Sequence, residues 1–304
     1  MKIEVYIIRK TLWIIFVAVP LNLYSQDAKV STEQARQIAR EAYVYGYPMV
    51  LNYKTMYNYA LHENSPEFKA HFNQISLPLQ NNLNINYGEY NRNVNVLNIQ
   101  PVIPSFSGKI IIRTIFPIVN IPDFTSESGT YSSGLSDIIA TAFYVPESKK
   151  VIWGFGPVLE IPSGGSERGT QKWSIGPSFL ALVQPGDWTF GMLLNNAWSI
   201  AGSSDREDVN HMLLNLFIVR QLGDGWYLNS APIITADWLA NSENRWIVPL
   251  GGGGGKLILL GSKLPLNLQT QIYYNIVRPE IDPEWQRRLQ AQFLLPTSLF
   301  KGKG

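Results

Sequence analysis

Residues 187–199 read DWTFGMLLNNAWS. Taken every second residue, Trp188, Phe190, Met192, Leu194, Asn196 and Trp198 share one face, and Asp187, Thr189, Gly191, Leu193, Asn195, Ala197 and Ser199 share the other. Strict alternation is the period of a strand held between two different environments. The first face is apolar over most of its length, with a tryptophan near each end. A tilted strand of about 9–11 residues with aromatic ends is what crossing a bilayer requires. One such strand also fits a soluble sandwich, so the reading depends on how often the pattern recurs.

Similar alternating runs lie at 79–87, 93–103, 109–119, 135–145, 150–161 and 172–184 before this stretch. Others lie at 209–221, 225–238, 245–260, 266–277 and 285–295 after it. With 187–199 they predict twelve strands. In 93–103 the apolar parity switches between Val96 and Leu97, which predicts a β-bulge there. The connections PSFSG, PESK, QPG, LGDG and GSKLP are short and alternate with longer polar ones: GEYNRN, then 120–134, 162–171, 200–208, 237–244 and 278–284. Tight periplasmic turns alternating with longer outer loops are the habit of outer-membrane barrels.

On a first strand running outward, Trp173, Trp198, Trp238, Trp246 and Trp285 fall at outer strand ends, and Trp188 and Trp226 at inner ends. Two interfacial girdles follow, because an indole joins an apolar body to one hydrogen-bond donor. Trp153 falls deeper than either girdle. A soluble sandwich would need separate explanations for this end-clustering and for the leader described next.

The chain has 304 residues, a formal net charge of +2 and no cysteine. Disulfides, thiol catalysis, zinc–thiolate sites and a lipid-anchored cysteine are thereby excluded. The near-neutral balance offers no basic patch for nucleic acid. His62, His71 and His211 show no metal-ligand spacing, and no metal or cofactor is expected. Residues 1–25 read as a secretory signal peptide, with Lys2, Arg9 and Lys10 ahead of the apolar run 12–19. Residues 26–74 read as a short helical extension. Ser31 with Gln34 resembles a capping box, Ala35, Ile38, Ala39, Ala42 and Tyr43 recur at helical spacing, and Gly46-Tyr47-Pro48 breaks the helix. Residues 75–304 read as the barrel.

Two resemblances accompany these readings. AREAYVYGYPMVLNYKTMYNYA and NSPEFKAHFNQI resemble the start of the bacterial family of unknown function numbered 1254. The likeness spans only residues 31–75 and carries over no activity. ISLPLQNN, NVLNIQPVIP, IIRTIFPI, IWGFGPVLEIP, KWSIGPSFLALVQPGDW, LLNNAWSIAG, GWYLNSAPIITADW, NRWIVPLGGGGGK and YYNIVRPE are similar to the bacterial outer-membrane family of the phenol meta-cleavage pathway. That likeness spans residues 75–296. It implies an outer-membrane barrel of transporter or porin-like character, acting on aromatic or hydrophobic molecules.

Several motifs invite other chemistry. VPLGGGGGK at 248–256 suggests a phosphate loop, but Leu250 stands where the first glycine should be and Leu257 replaces the hydroxyl residue. Bending of a strand, or close approach of another segment, is the expected role. A phospholipase-like barrel needs a serine activated by a histidine. His211, between Asn210 and Met212, recreates no such arrangement and is expected to make ordinary hydrogen bonds in the lumen, so no enzyme is predicted. Glu160, Glu167, Asp205, Glu207 and Asp208 lie in or beside loops. They are read as solvated, with calcium binding the sharper alternative.

The expected fold is thus an all-β, twelve-stranded antiparallel transmembrane β-barrel with a short helical N-terminal extension. Asn82, Asn84, Lys109, Arg113, Asn195, His211, Asn215, Asn229, Gln269, Gln271, Asn275, Arg288, Gln290 and Gln292 are expected to line the lumen, where amides dominate. Such a lining gives little charge selectivity. The expected partners are outer-membrane lipids, the barrel assembly machinery and a small-molecule solute. The expected location is the bacterial outer membrane, and the expected function is passive passage. A non-conducting structural or surface-binding barrel is the alternative.

Overall fold

A computed structural model describes residues 74–106, 109–146, 151–260 and 264–296. The signal peptide and nearly all of the helical extension lie outside them. Fifteen strand segments follow in order: β1 (Gln74–Tyr87), β2 (Arg92–Ile99), β3 (Val102–Ser105), β4 (Ile110–Pro122), β5 (Tyr131–Leu135), β6 (Ile138–Tyr144), β7 (Val151–Ile161), β8 (Lys172–Val183), β9 (Trp188–Gly202), β10 (Asn210–Gly223), β11 (Trp226–Ser230), β12 (Ile233–Asp237), β13 (Trp246–Leu260), β14 (Leu264–Val277) and β15 (Trp285–Pro296). Every pairing is antiparallel. The sheet closes because β1 pairs with β15 and β9 with β10. β2 with β3, β5 with β6 and β11 with β12 are halves of single staves, since both members of each pair bond to β4, or in the last case to β10 and β13. Twelve staves result, as the sequence predicts. Closure matters in lipid because an open edge would leave backbone N–H and C=O groups with nothing to bond.

Two of the three breaks contain a proline, Pro101 and Pro232, which has no N–H to give to a ladder. Around the first, Gln100 N donates to Pro78 O at 3.0 Å and Thr114 N to Pro101 O at 3.1 Å. The third break, at Ser136–Asp137, keeps Ser136 N on Pro117 O at 2.8 Å.

Burial follows the pleat. In β9, Thr189, Leu193, Asn195 and Ala197 are buried inside while Trp188, Phe190 and Trp198 are exposed, so the two faces of residues 187–199 fall as predicted. Ile175, Phe179, Ile218, Ile272 and Leu289 extend the outward apolar belt around the barrel. Trp173, Trp188, Trp198, Trp226, Trp238 and Trp285 are exposed and Trp246 half-buried, all at stave ends. Trp153 faces outward in β7, stacked on Phe155 with ring centroids 6.0 Å apart. The outward amides Asn81 and Asn95 bond each other at 2.8 Å, and Asn196 bonds Asn210 at 3.0 Å. Pairing satisfies amides that stand in an apolar surface.

The predicted bulge between Val96 and Leu97 is absent. β2 pairs with β4 in unbroken register from Asn95 to Ile99. Val94, Val96, Asn98, Gln100 and Val102 are all buried on the inner face. The parity never switches; the chemistry of the lining does, from valine to amide.

Closure gives a sharp test. Asn84 pairs with Gln286 and Gln80 with Gln290. In this cysteine-free chain, the double variant N84C/Q286C is expected to crosslink under oxidation, and N84C/Q290C to fail. Equal yields from both pairs would refute this register.

Candidate lumen and its lining

Of the fourteen residues expected to line the lumen, thirteen are buried inside the barrel. Lys109 is not. It is exposed in the turn before β4, where its N donates to Phe106 O at 3.2 Å. The expectation that amides dominate also needs correction, because the interior has two contrasting walls. On β14, β15, β1 and the end of β2 it presents Asn267, Gln269, Gln271, Gln286, Gln290, Gln292, Gln80, Asn82, Asn84 and Asn98. From β4 round to β10 a contiguous apolar cluster holds Ile115, Val119, Ile139, Phe143, Val158, Leu180, Leu193 and Leu213. These apolar residues were invisible as lining, since a lipid-facing position uses the same residue types.

The Ala231–Pro232 break meets the amide wall across the interior. Arg288, on β15, donates from Nη1 to Ala231 O at 3.2 Å and to Gln271 Oε1 at 3.0 Å. Its Nε reaches Asn82 Oδ1 at 3.2 Å and its Nη2 reaches Gln286 Oε1 at 3.1 Å. Its guanidinium carbon lies 4.9 Å from the centroid of the Tyr273 ring. Tyr273 Oη accepts from Ala231 N at 2.9 Å, and Asn215 Nδ2 donates to Pro232 O at 2.9 Å. The result is a crosspiece tying staves that are not neighbours. Below it, Tyr227 Oη donates to Asn267 Oδ1 at 2.8 Å, and Asn229 Nδ2 donates to Gln269 Oε1 at 2.9 Å. Asn82 Nδ2, Asn84 Nδ2, Gln271 Nε2, Asn229 Oδ1 and Gln290 Oε1 have no hydrogen-bond partner among the described residues. Buried polar atoms are ordinarily hydrogen-bonded, so these are the positions in the lining most in want of a partner.

The end bearing the longer loops is fastened by a second network. His211 Nε2 lies 2.7 Å from Glu160 Oε1. Asp137 accepts from Gly164 N at 3.0 Å and from Thr170 N and Oγ1 at 2.6 and 2.7 Å. Ser136 Oγ donates to Arg168 O, so residues 163–170 fold onto this end. A Cβ at Gly169 would lie 2.3 Å from Asp137 Oδ1 and 3.0 Å from Gly164 Cα, so a larger residue there would push the Asp137 carboxylate out of these bonds. Glu160 and Glu167 are buried, correcting their reading as solvated. Their strand and folded loop carry them inward, where His211 and the Ser132 hydroxyl meet them. Among the described residues no three acidic or histidine side chains group as a metal site.

Two loop carboxylates are held below the ordinary aspartate range. The Thr125 hydroxyl and N–H do this for Asp123; the Lys172 ammonium and the Ser199 hydroxyl do it for Asp208. A depressed folded-state value means these contacts stabilise above the ordinary carboxylate range and fade as pH falls through the folded value.

Comparison with known proteins bears on the fold. No protein-family model and no curated protein matches the sequence. An outer membrane channel from Pseudomonas putida F1 is 15% identical, with the match covering 73% of this chain and 95% of that one at a TM-score of 0.53. The NanC porin is 8% identical, with 72% and 98% covered at a TM-score of 0.50. Likeness at such identities speaks for architecture alone. The chain has the closed antiparallel barrel fold of outer-membrane channels and porins.

Proposed function

We propose that this protein lies in the bacterial outer membrane, short turns toward the periplasm, and gives passive passage to small aromatic or hydrophobic molecules. The observation that carries the proposal is the two-sided lining. Unpartnered amide atoms concentrate on one side of the interior, and an apolar cluster, interrupted by Arg113, Thr141, Ser178 and Asn195, occupies the other. A small aromatic ring bearing a hydroxyl or carboxylate matches both at once, whereas a sugar would leave the apolar wall without a partner. The resemblance of residues 75–296 to the phenol-pathway family supports the same solute class. The partners proposed are outer-membrane lipids, the barrel assembly machinery during insertion, and the solute itself.

Proteoliposomes test this reading. Phenol or benzoate is expected to enter faster with the protein than without it, and glucose to show no such gain. Equal rates for all three with and without protein would refute passage. Fractionation is expected to give a heat-modifiable outer-membrane band, and recovery as a soluble periplasmic protein would refute the location.

One observation favours a second reading, a non-conducting structural or surface-binding barrel. Gln80, Asn82 and Asn84 are each 0% exposed and Arg288 is 1% exposed, so the lining near the crosspiece is tightly packed. Reproducible single-channel openings would decide for passage, and a silent planar bilayer for the second reading.

A further inference from the structure

The glycine tract of β13 has two faces with different consequences. Inward, Gly253 and Gly255 admit the β14 backbone and the Tyr227 ring. Outward, Gly254 leaves a gap in the apolar belt. A groove of about 860 Å³ opens there on the lipid-facing side. That volume is within the range of roughly 300–1,000 Å³ typical of small-molecule sites. The register lays it out: Leu228, Gly254 and Thr270 form one row, and Trp226, Lys256 and Leu268 form the next, toward the short-turn end.

Charge marks that end. Lys256 Nζ lies 4.5 Å from the centroid of the Trp226 ring. Beside it, Arg220, which pairs with Leu228, places its guanidinium carbon 5.0 Å from the Trp188 ring centroid. No carboxylate forms an ion pair with Lys256 or Arg220 among the described residues. Both cations therefore stand at the inner girdle, each resting on an indole and directed outward from the wall. A cation at the level of an interfacial tryptophan meets lipid phosphates.

The geometry points to a bound glycerophospholipid of the periplasmic leaflet. Its phosphate sits at Lys256, with Arg220 as the flanking cation, and one acyl chain lies in the trough over Gly254, beside Leu228 and Thr270. The assignment rests on the orientation proposed above, which puts the short turns in the periplasm. Apolar belts are ordinarily filled by side chains. The outward Gly254 leaves room for a chain here, and the adjacent lysine supplies the headgroup contact that a bare belt lacks.

The test is native mass spectrometry of the full-length protein extracted from its own membranes in mild detergent. The parent is expected to retain one phospholipid per barrel. Lys256→Gln, which removes the charge, and Ala291→Trp, which fills the groove without touching Lys256, are each expected to lower occupancy by about tenfold, roughly 1.4 kcal/mol. Ile112→Trp, on the belt away from the groove, is expected to retain the lipid. A heat-modifiable gel shift confirms that each variant is folded. Parent-like lipid retention by folded Lys256→Gln and Ala291→Trp would overturn the site, as would a parent that carries no lipid. Orientation is read separately, by labelling Asp224→Cys in intact cells with an impermeant maleimide. Labelling from outside would place the groove in the other leaflet and overturn the assignment. Lys256-dependent lipid retention by a barrel that fails the uptake test would uphold the groove while refuting the channel.

Discussion

Gly253→Val is expected to stop the barrel from closing. A Cβ at Gly253 would lie 1.9 Å from Thr270 O and 2.8 Å from Gln271 Cα, both backbone atoms of the paired strand. Backbone cannot swing aside as a flexible side chain can, so β13 and β14 must part. Their ladder runs from Val248↔Val277 to Leu260↔Leu264, and Gly253↔Gln271 is near its middle. Overpacking alone costs about 1–3 kcal/mol. Opening a ladder inside lipid adds several kcal/mol for each N–H or C=O left without a partner. Together these exceed the net stability of many domains, about 5–15 kcal/mol, once two or three bonds are lost. Thr270→Val, on the outward face of the same strand pair, is the matched control and is expected to be nearly neutral. The readout is the heat-modifiable band after refolding into detergent, followed by the midpoint of urea unfolding. A Gly253→Val barrel that refolds with the parent's midpoint would show that the approach of β13 to β14 is looser than described.

The same tract shows what the sequence made legible. Five consecutive glycines within an alternating pattern signal bending or close approach, and the structure shows close approach. Strand positions, closure and the outward tryptophans were readable because period-two alternation and the short–long rhythm of connections are local signals. The interior was readable only where its chemistry contrasts with lipid. Asn82 and Gln290 stand out as polar on one face, whereas Val94, Val96, Ile115 and Leu193 carry the same residue types as the belt. Where each face changes chemistry along a strand, as β2 does from Val94 and Val96 to Asn98 inside and from Asn95 to Leu97 outside, alternation reads as a switch of parity, and the sequence suggests a bulge that is absent. The alternation of β15 puts Arg288 in the lumen, but its target, Ala231, gives no sign beyond the neighbouring Pro232 within a strand pattern. Contacts between non-neighbouring staves, such as His211 with Glu160, depend on closure, and no local pattern encodes them.

Arg288→Ala is expected to open the crosspiece. The side chain donates to Asn82, Gln271, Gln286 and the Ala231 carbonyl, and it faces the Tyr273 ring. Its loss leaves these acceptors without the donor, at about 1–3 kcal/mol for each that water does not reach. The vacated space is large and polar enough to admit water, which limits the cost. The barrel should therefore still fold, with a lower unfolding midpoint. If solute passes by this route, the variant should also conduct better, since the obstacle is a side chain rather than the wall; an increase of about twofold or more is expected. Arg288→Lys keeps the charge but lacks the planar fork that reaches several acceptors at once, so it should fall between parent and alanine variant. Planar-bilayer recording on folded protein decides the matter. Identical conductance in parent, lysine and alanine forms would show that the crosspiece holds the wall together without standing in the path, and passage would then have to follow the apolar side. Silence in all three, with folding intact, would count against passage altogether.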